Sequence, residues 1–155
     1  MPISVATASD ASDIVDLYNI SPLATVMGTI DNANILANMA RSGSRAVLNR
    51  ANNGTLNACV IVFPDTSALD KQIYYQLVFG RTLVSIRPVL REIAQWGIDN
   101  NYTRWYCIVP QNPEFDSFRS YLEARWPYLN SDMVDTNWGT FRYMGDALQS
   151  VVDVG

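Results

Sequence analysis

Histidine is absent from the 155-residue sequence, and lysine occurs only at Lys71. Histidine is the usual general base of enzymes, the commonest metal ligand, and the partner that activates serine and cysteine nucleophiles. Its absence excludes hydrolase triads and zinc sites that depend on histidine, so we expect no metal in this protein.

Cysteine and long apolar runs are also scarce. Cys59 and Cys107 fall inside apolar segments typical of strands, which predicts small buried side chains rather than reactive thiols. No apolar run approaches the ~18 residues that span a bilayer, and residues 1–10 lack the basic and apolar regions of a secretory signal. We therefore expect no membrane partner, and a location in the cytoplasm, or in a virion if a phage encodes the chain.

The charge balance is acidic, with a formal net charge of −4, and nearly all of the positive charge is arginine. An acidic chain lacks the positive field that gives non-specific nucleic-acid affinity, so nucleic acid is not expected as the main partner. Arginine is suited to packed contacts with other proteins. Codon bias in the source genome would produce the same excess, so both explanations stay open.

Apolar periodicity and turn residues predict a single mixed α and β domain over residues 1–155, with residues 146–155 as a short docking tail. Strands are predicted at residues 3–6, 45–50, 55–63, 72–79, 105–109, 133–134 and 140–144. Helices are predicted at residues 9–18, 29–41, 85–100 and 114–125. Ser85 as the cap of the third helix would place Pro88 in its first turn, where proline is tolerated. The expected fold is α+β, a mostly antiparallel sheet flanked by about four helices.

Three stretches carry a family resemblance. VATASDASDIVDLY (residues 5–18) is typical of a strand leading into a capped helix, and LREIAQWGIDNNYTRWYCIVPQN (residues 90–112) of a long helix, a turn and a strand. YLEARW (residues 121–126) is similar to the end of the next helix, with Arg125 where the family has glycine. With these motifs in this order, residues 3–145 resemble the GCN5-related N-acetyltransferase (GNAT) superfamily. The resemblance implies the GNAT fold, with a central sheet, and in active members the use of acetyl-CoA.

The chain departs from that family between the strand at residues 72–79 and the long helix. Active GNAT enzymes carry a glycine-rich stretch there, Q/R-x-x-G-x-G/A, whose backbone N–H groups approach the pyrophosphate of acetyl-CoA. Aligned on Arg81, the two glycine positions hold Val84 and Ile86. Branched side chains disfavour the required backbone conformation and crowd a phosphate. We therefore expect the pyrophosphate cradle to be missing.

Site residues can still be predicted on both grounds. A helix N-terminus with nearby guanidinium groups remains an anion site, and the family often carries an asparagine after the following strand. Cofactor contacts are accordingly predicted at Arg81, Thr82, Ser85, Arg87 and Asn112. The resemblance makes Tyr121 the general acid that protonates the leaving thiolate. Candidate general bases are Asp65, Glu92, Glu114 and Glu123. Arginines that pair with Glu92 or solvent, and a Tyr121 that only packs, would explain the same residues.

The second half of the chain is rich in aromatic residues, which fill cores and also anchor protein interfaces. An interaction surface is predicted around Trp126 and Tyr128 and at the turn that carries Trp138. The tail has an apolar pattern suited to docking at Leu148, Val151 and Val152.

Two functions from different classes fit these observations. The first is a catalytically silent structural or interaction protein on a GNAT-like scaffold, such as a phage virion component or another phage-encoded part of a larger assembly. It would bind protein partners, or further copies of itself, and no cofactor. The alternative is a divergent acetyl-CoA-dependent N-acyltransferase with an unknown amine acceptor. The sequence leans away from an enzyme because the phosphate cradle is replaced.

Overall fold

The strands of the computed structural model are β1 (Ile3–Val5), β2 (Arg45–Arg50), β3 (Leu56–Asp65), β4 (Gln72–Gly80), β5 (Arg104–Pro110), β6 (Asn130–Thr136) and β7 (Gly139–Ala147). The helices are α1 (Ala11–Asn19), α2 (Pro22–Met27), α3 (Asn32–Ala40), α4 (Leu83–Asp99), α5 (Asp116–Arg125) and α6 (Leu148–Val154). The structure describes residues 3–65, 71–126 and 130–154. The seven strands form one sheet in the order β1-β2-β3-β4-β5-β7-β6. Only β4 and β5 pair in parallel, which confirms an α+β fold with a mostly antiparallel sheet.

Helices α2 and α6 add to the four helices that the sequence predicts. The sequence suggests that Pro22 lies beyond a helix end, whereas in the structure Pro22 begins α2. Proline suits a first helical position because its missing N–H would have no partner there. Helix α3 begins at Asn32 rather than residue 29, since the Asp31 carboxylate accepts a hydrogen bond from the Asn34 N–H at 2.9 Å. None of the described helices is both long and apolar enough to cross a membrane.

The long helix α4 begins earlier than predicted. Its cap is Thr82 rather than Ser85, because the Ser85 N–H donates to the Thr82 hydroxyl at 3.1 Å. Pro88 therefore lies inside the helix and not in its first turn, which leaves the carbonyl of Val84 without its usual partner. Val84 is 75% exposed, so water can solvate that part of the helix. The reciprocal cap between Thr82 and Ser85 offsets the cost of the proline.

A β-bulge in β4 lets one strand serve both faces of the sheet. The register with β3 shifts at Gln76, since Ile61 and Val62 lie opposite Leu77 and Tyr75. Before the bulge, the Tyr75 hydroxyl donates to the Leu90 carbonyl of α4 at 3.2 Å. After it, Phe79 packs edge-on against Tyr18 of α1 with ring centroids 5.4 Å apart. Without the extra residue both side chains would point to the same face.

The tail folds back on the domain's own core. The Leu148 N–H donates to the Thr103 carbonyl at 2.9 Å, and the buried Leu148 side chain lies beside Gly97 of α4. Val151 is also buried, and Val152 is half-buried. The predicted role of these residues in binding a partner is thus corrected for Leu148 and Val151, because their apolar surface is covered within the chain.

Candidate functional site

Strands β4 and β5 part to form a cleft. Their parallel register covers only three residue pairs and ends at Tyr74 and Tyr106. A cavity of about 200 Å³ opens between the strands beyond that point. Its walls include Tyr75, Val78, Gly80, Arg81, Thr82, Ile86, Cys107, Val109, Glu114 and Phe118. The cleft therefore runs from the last paired residues to the N-terminus of α4.

One edge of the cleft carries free main-chain groups. The Arg81 N–H donates to the Asn57 carbonyl of β3 at 2.8 Å, so Arg81 faces away from the cleft through its backbone. Because neighbouring residues of a strand alternate in direction, the backbone groups of Val78 and Gly80 face the gap. No described strand pairs with them there, since the register with β5 has already ended. The gap thus offers donors and acceptors to a narrow ligand.

The N-terminus of α4 forms the open end of the cleft. The cap uses the Ser85 N–H, which leaves the N–H groups of Leu83 and Val84 as the free donors of the first turn. The side chain of Val84 points to solvent, whereas Ile86 is buried. Ile86 lies so close to Gly80 that a Cβ atom added at Gly80 would stand 2.7 Å from Ile86 Cγ1. The branched side chains therefore leave two helix N–H groups accessible.

Arg81 is the cation at this end of the cleft. Its side chain is exposed, and its Nε donates to the Leu56 carbonyl at 3.1 Å. Neither terminal nitrogen bonds to another residue in the described part of the chain. Arg81 and Thr82 thus line the cleft as predicted, whereas Ser85 acts through the helix cap.

The other predicted cofactor contacts lie away from the cleft walls. Arg87 is half-buried on α4 and is not among the lining residues. Asn112 precedes the 3-10 turn before α5, where its carbonyl accepts a hydrogen bond from Arg119 Nη1 at 3.3 Å. The family-based position of Asn112 therefore has a structural partner in this chain.

Tyr121 also lies outside the cleft lining. Its ring stacks near Phe118 with centroids 6.4 Å apart and meets Trp126 edge-on at 6.1 Å. The Arg125 guanidinium lies 5.1 Å from the centre of the same ring. These contacts support the packing explanation for Tyr121, and they do not aim its hydroxyl at the cleft.

The predicted aromatic interaction surface is divided. Trp126 is only 2% exposed and packs edge-on against Trp105 at 5.4 Å, so its predicted role at an interface is corrected. Trp138 is 56% exposed at the β6–β7 turn, as an interface residue should be. Tyr128 lies outside the described residues.

The buried titratable groups in the cleft are not reactive. Burial raises the pKa of the Cys107 thiol to about 12, so the thiol stays protonated at neutral pH. Burial likewise raises the pKa of Tyr75, whose hydroxyl is bonded to α4. Cys59 is buried as well, in agreement with the predicted structural role of both cysteines. Glu114 is the exposed carboxylate of the lining.

A tyrosine and an aspartate meet at the closed end of the cleft. The Tyr106 hydroxyl donates to Asp65 Oδ2 at 2.9 Å. Burial, followed by the bond to Asp65, raises the pKa of Tyr106, so the phenol remains neutral. The ring stacks between Tyr74 at 4.8 Å and Tyr143 at 5.3 Å, which fixes its position. The sequence marked Asp65 as a candidate base but carried no signal for Tyr106, because the pairing joins β3 to β5 across β4.

No group of three or more potential metal-ligating side chains occurs among residues 3–65, 71–126 and 130–154. The cleft therefore has to act through hydrogen bonds, charge and apolar contact. Its two chemically distinct ends are the helix N-terminus with Arg81 and the Tyr106–Asp65 pair.

No protein-family model and no curated protein matches the sequence. Solved structures do match the fold. The ribosomal-protein-alanine N-acetyltransferase of Brucella melitensis is 14% identical with a TM-score of 0.69, covering 95% of this chain and 99% of its own. An acetyltransferase from Thermus thermophilus is 15% identical with a TM-score of 0.66, covering 95% and 97%.

A third structure was solved with acetyl-CoA as its cofactor. It is a Salmonella typhimurium protein described as an acetyltransferase, 15% identical with a TM-score of 0.69, covering 94% of this chain and 92% of its own. At these identities the likeness establishes the fold alone. The chain thus has the GNAT fold, which confirms the fold that the sequence resemblance implied.

Proposed function

We propose that this protein is an N-acyltransferase that takes its acyl group from a coenzyme A thioester. The observation that carries the proposal is the free edge of β4 in a cleft that leads to the N-terminus of α4. The GNAT fold of the solved acetyltransferases supports it, as does the presence of acetyl-CoA in one of them.

The residues of the cleft fit such a donor. The pantetheine arm of coenzyme A is narrow and carries amides, which match the free backbone groups of Val78 and Gly80. Its phosphates suit the free N–H groups of Leu83 and Val84 together with the guanidinium of Arg81. This anion site is smaller than a glycine-rich cradle, and we expect weaker donor binding as a result.

The Tyr106–Asp65 pair supplies the route for a proton. A coenzyme A thioester supplies an acyl carbon that an amine can attack. As the new C–N bond forms and the C–S bond breaks, the amine proton passes through the Tyr106 hydroxyl to the Asp65 carboxylate. The released sulfur takes a proton from solvent, so the products are an amide and a thiol. We assign this role to Asp65 rather than Glu114 because the Tyr106–Asp65 pair lies where the strands meet.

A silent scaffold remains the second candidate function. The side chains at Val84 and Ile86 and the packed position of Tyr121 favour it, because each removes a feature that the family resemblance would require of an enzyme. Its partners would be proteins, or further copies of this chain, that contact the exposed Trp138. A role in a phage particle has no support from the matched structures and stays a prediction from sequence, as does the cytoplasmic location.

Calorimetric titration with acetyl-CoA tests the proposal. We expect micromolar to submillimolar binding, and about tenfold weaker binding in Arg81→Ala, which corresponds to about 1.4 kcal/mol. Arg91→Ala is the matched control, because Arg91 is an exposed arginine of α4 outside the cleft lining. Absence of binding at millimolar acetyl-CoA would overturn the proposal and favour the silent scaffold.

Turnover is measured separately as release of free coenzyme A thiol in the presence of a panel of primary amines. Both cysteines of the protein are buried, so a thiol reagent should report the product with little background. Binding without thiol release from any amine would overturn the enzymatic part of the proposal.

A further inference from the structure

The cleft has an apolar recess at its closed end. The recess has a volume of about 20 Å³ and shares Tyr75, Val78, Cys107 and Phe118 with the wall of the cleft. Because the two spaces share these side chains, the recess adjoins the cleft. Its far wall includes Trp105 and Val151, the latter from helix α6.

The position of the recess matches the reactive end of the donor. The phosphates are expected at the N-terminus of α4, so the acyl group should lie at the opposite end, where the strands meet at Tyr74 and Tyr106. Tyr75 and Cys107 directly follow those two residues, and both line the recess. An acyl chain longer than acetyl would therefore extend towards it.

The walls of the recess are apolar and held in place. Trp105 is 3% exposed and contacts both Tyr75 at 5.9 Å and Trp126 at 5.4 Å between ring centroids. A space that holds a water needs about 10–15 Å³ and several polar partners. The recess has room for a group of about that size, but its apolar lining suits a methyl or methylene group better than water.

We propose that the acyl group is a short straight chain of three or four carbons, with its apolar end in this recess. This inference rests on the proposed function and adds the class of acyl group. Each methylene that leaves water contributes about fourfold in affinity, from about 0.8 kcal/mol per buried CH₂. A carboxylated acyl group such as succinyl would be disfavoured, because its charge would be left without a partner among apolar side chains.

Titration with acetyl-, propionyl-, butyryl- and succinyl-CoA tests the assignment. The unmodified protein should bind propionyl-CoA about fourfold more tightly than acetyl-CoA, bind butyryl-CoA at least as well as propionyl-CoA, and bind succinyl-CoA worst. Val151→Leu should fill the recess and remove the preference for longer chains while it leaves acetyl-CoA binding unchanged. Val152→Leu is the control, because Val152 neighbours Val151 but is not among the recess residues.

Val151→Ala provides a second variant in case the larger side chain disturbs folding, which thermal unfolding would reveal. It should enlarge the recess and move the preferred chain to a longer length. Equal binding of all uncharged thioesters, or a preference that Val151→Leu does not alter, would overturn the assignment and leave the proposed function intact. Failure of every thioester to bind would overturn both.

Discussion

The paired end and the parted end of strands β4 and β5 differ in how their backbone groups are satisfied. From Gln72 to Tyr74, β4 bonds to β3 on one side and to β5 on the other. Beyond Tyr74 the pairing with β3 continues, and the pairing with β5 stops. Unpaired backbone groups are costly when buried, so a strand edge inside a fold calls for another partner.

The side chains at the two ends differ in the same sense. The paired end is packed between helices, with Ile73 against α4 and Leu148 of α6 beside it. The parted end is bordered by a helix N-terminus and an exposed arginine. The comparison teaches that one strand provides stability over its first half and a ligand surface over its second, with the bulge at Gln76 as the boundary.

The largest expected effect is on stability at the paired end. Leu148→Ala should lower the free energy of unfolding by about 3 kcal/mol, because it removes a fully buried side chain between α6 and α4. Urea unfolding measures this change. Trp138→Ala is the control and should shift stability by less than about 0.5 kcal/mol, since Trp138 is exposed. A loss below that of the control would mean that α6 is not part of the core.

The next effect concerns the boundary between the two ends. Asp65→Asn should lower the rate of thiol release by about 100-fold, because the proton acceptor is lost while the shape is kept. The dissociation constant of acetyl-CoA should stay unchanged. Tyr106→Phe, which keeps the stacked ring, should give a smaller loss. Full activity in Asp65→Asn would exclude this residue as the base.

Two glycines allow a matched test of stability against binding. Gly145→Ala would place a Cβ atom 2.7 Å from the Trp105 carbonyl oxygen, and Gly80→Ala would place one 2.9 Å from the Asn57 carbonyl oxygen. Each should lower the free energy of unfolding by about 2 kcal/mol through local strain. Only Gly80→Ala should weaken acetyl-CoA binding, because Gly80 borders the cleft. Equal effects of both variants on binding would remove the distinction between the two ends.

The smallest effect lies far from the cleft, at the ion pair between Asp10 and Arg50. Burial alone would raise the pKa of Asp10, but the Thr7 N–H and the Arg50 guanidinium, 2.8 Å away, bring it below its ordinary value. A lowered pKa contributes stability above the unfolded-state pKa, and that contribution disappears as the pH falls through the folded-state pKa.

Asp10→Asn should therefore lower stability by up to about 1 kcal/mol at pH 7. The difference from the unmodified protein should shrink below about pH 4, where the unfolded carboxyl takes up its proton. Urea unfolding at several pH values measures both. A difference that persists at low pH would assign the effect to packing, and a change in acetyl-CoA binding would contradict the separation of this site from the cleft.

The order of elements could be predicted from sequence because it depends on local patterns. The hairpin between β2 and β3 follows from Asn53 and Gly54, and Gly54 adopts the expected positive φ of 89°. The start of α4 was misplaced, because Thr82 and Ser85 both cap well and only their mutual bond decides between them.

The cleft was harder to predict than the elements around it. Arg81 and Thr82 could be assigned because they directly precede a helix. The bulge at Gln76 and the pair formed by Tyr106 and Asp65 depend on strand register, which alternating apolar residues do not specify. Tail residues such as Leu148 were assigned to a partner because an apolar stripe does not reveal which surface will cover it.

Hydrogen–deuterium exchange with and without acetyl-CoA tests the central claim most directly. We predict that the donor slows exchange at Val78, Gly80 and the first turn of α4, and leaves Gln72–Tyr74 unchanged because those amides lie in the paired half. Protection confined to other parts of the chain, or no change at saturating donor, would contradict the account.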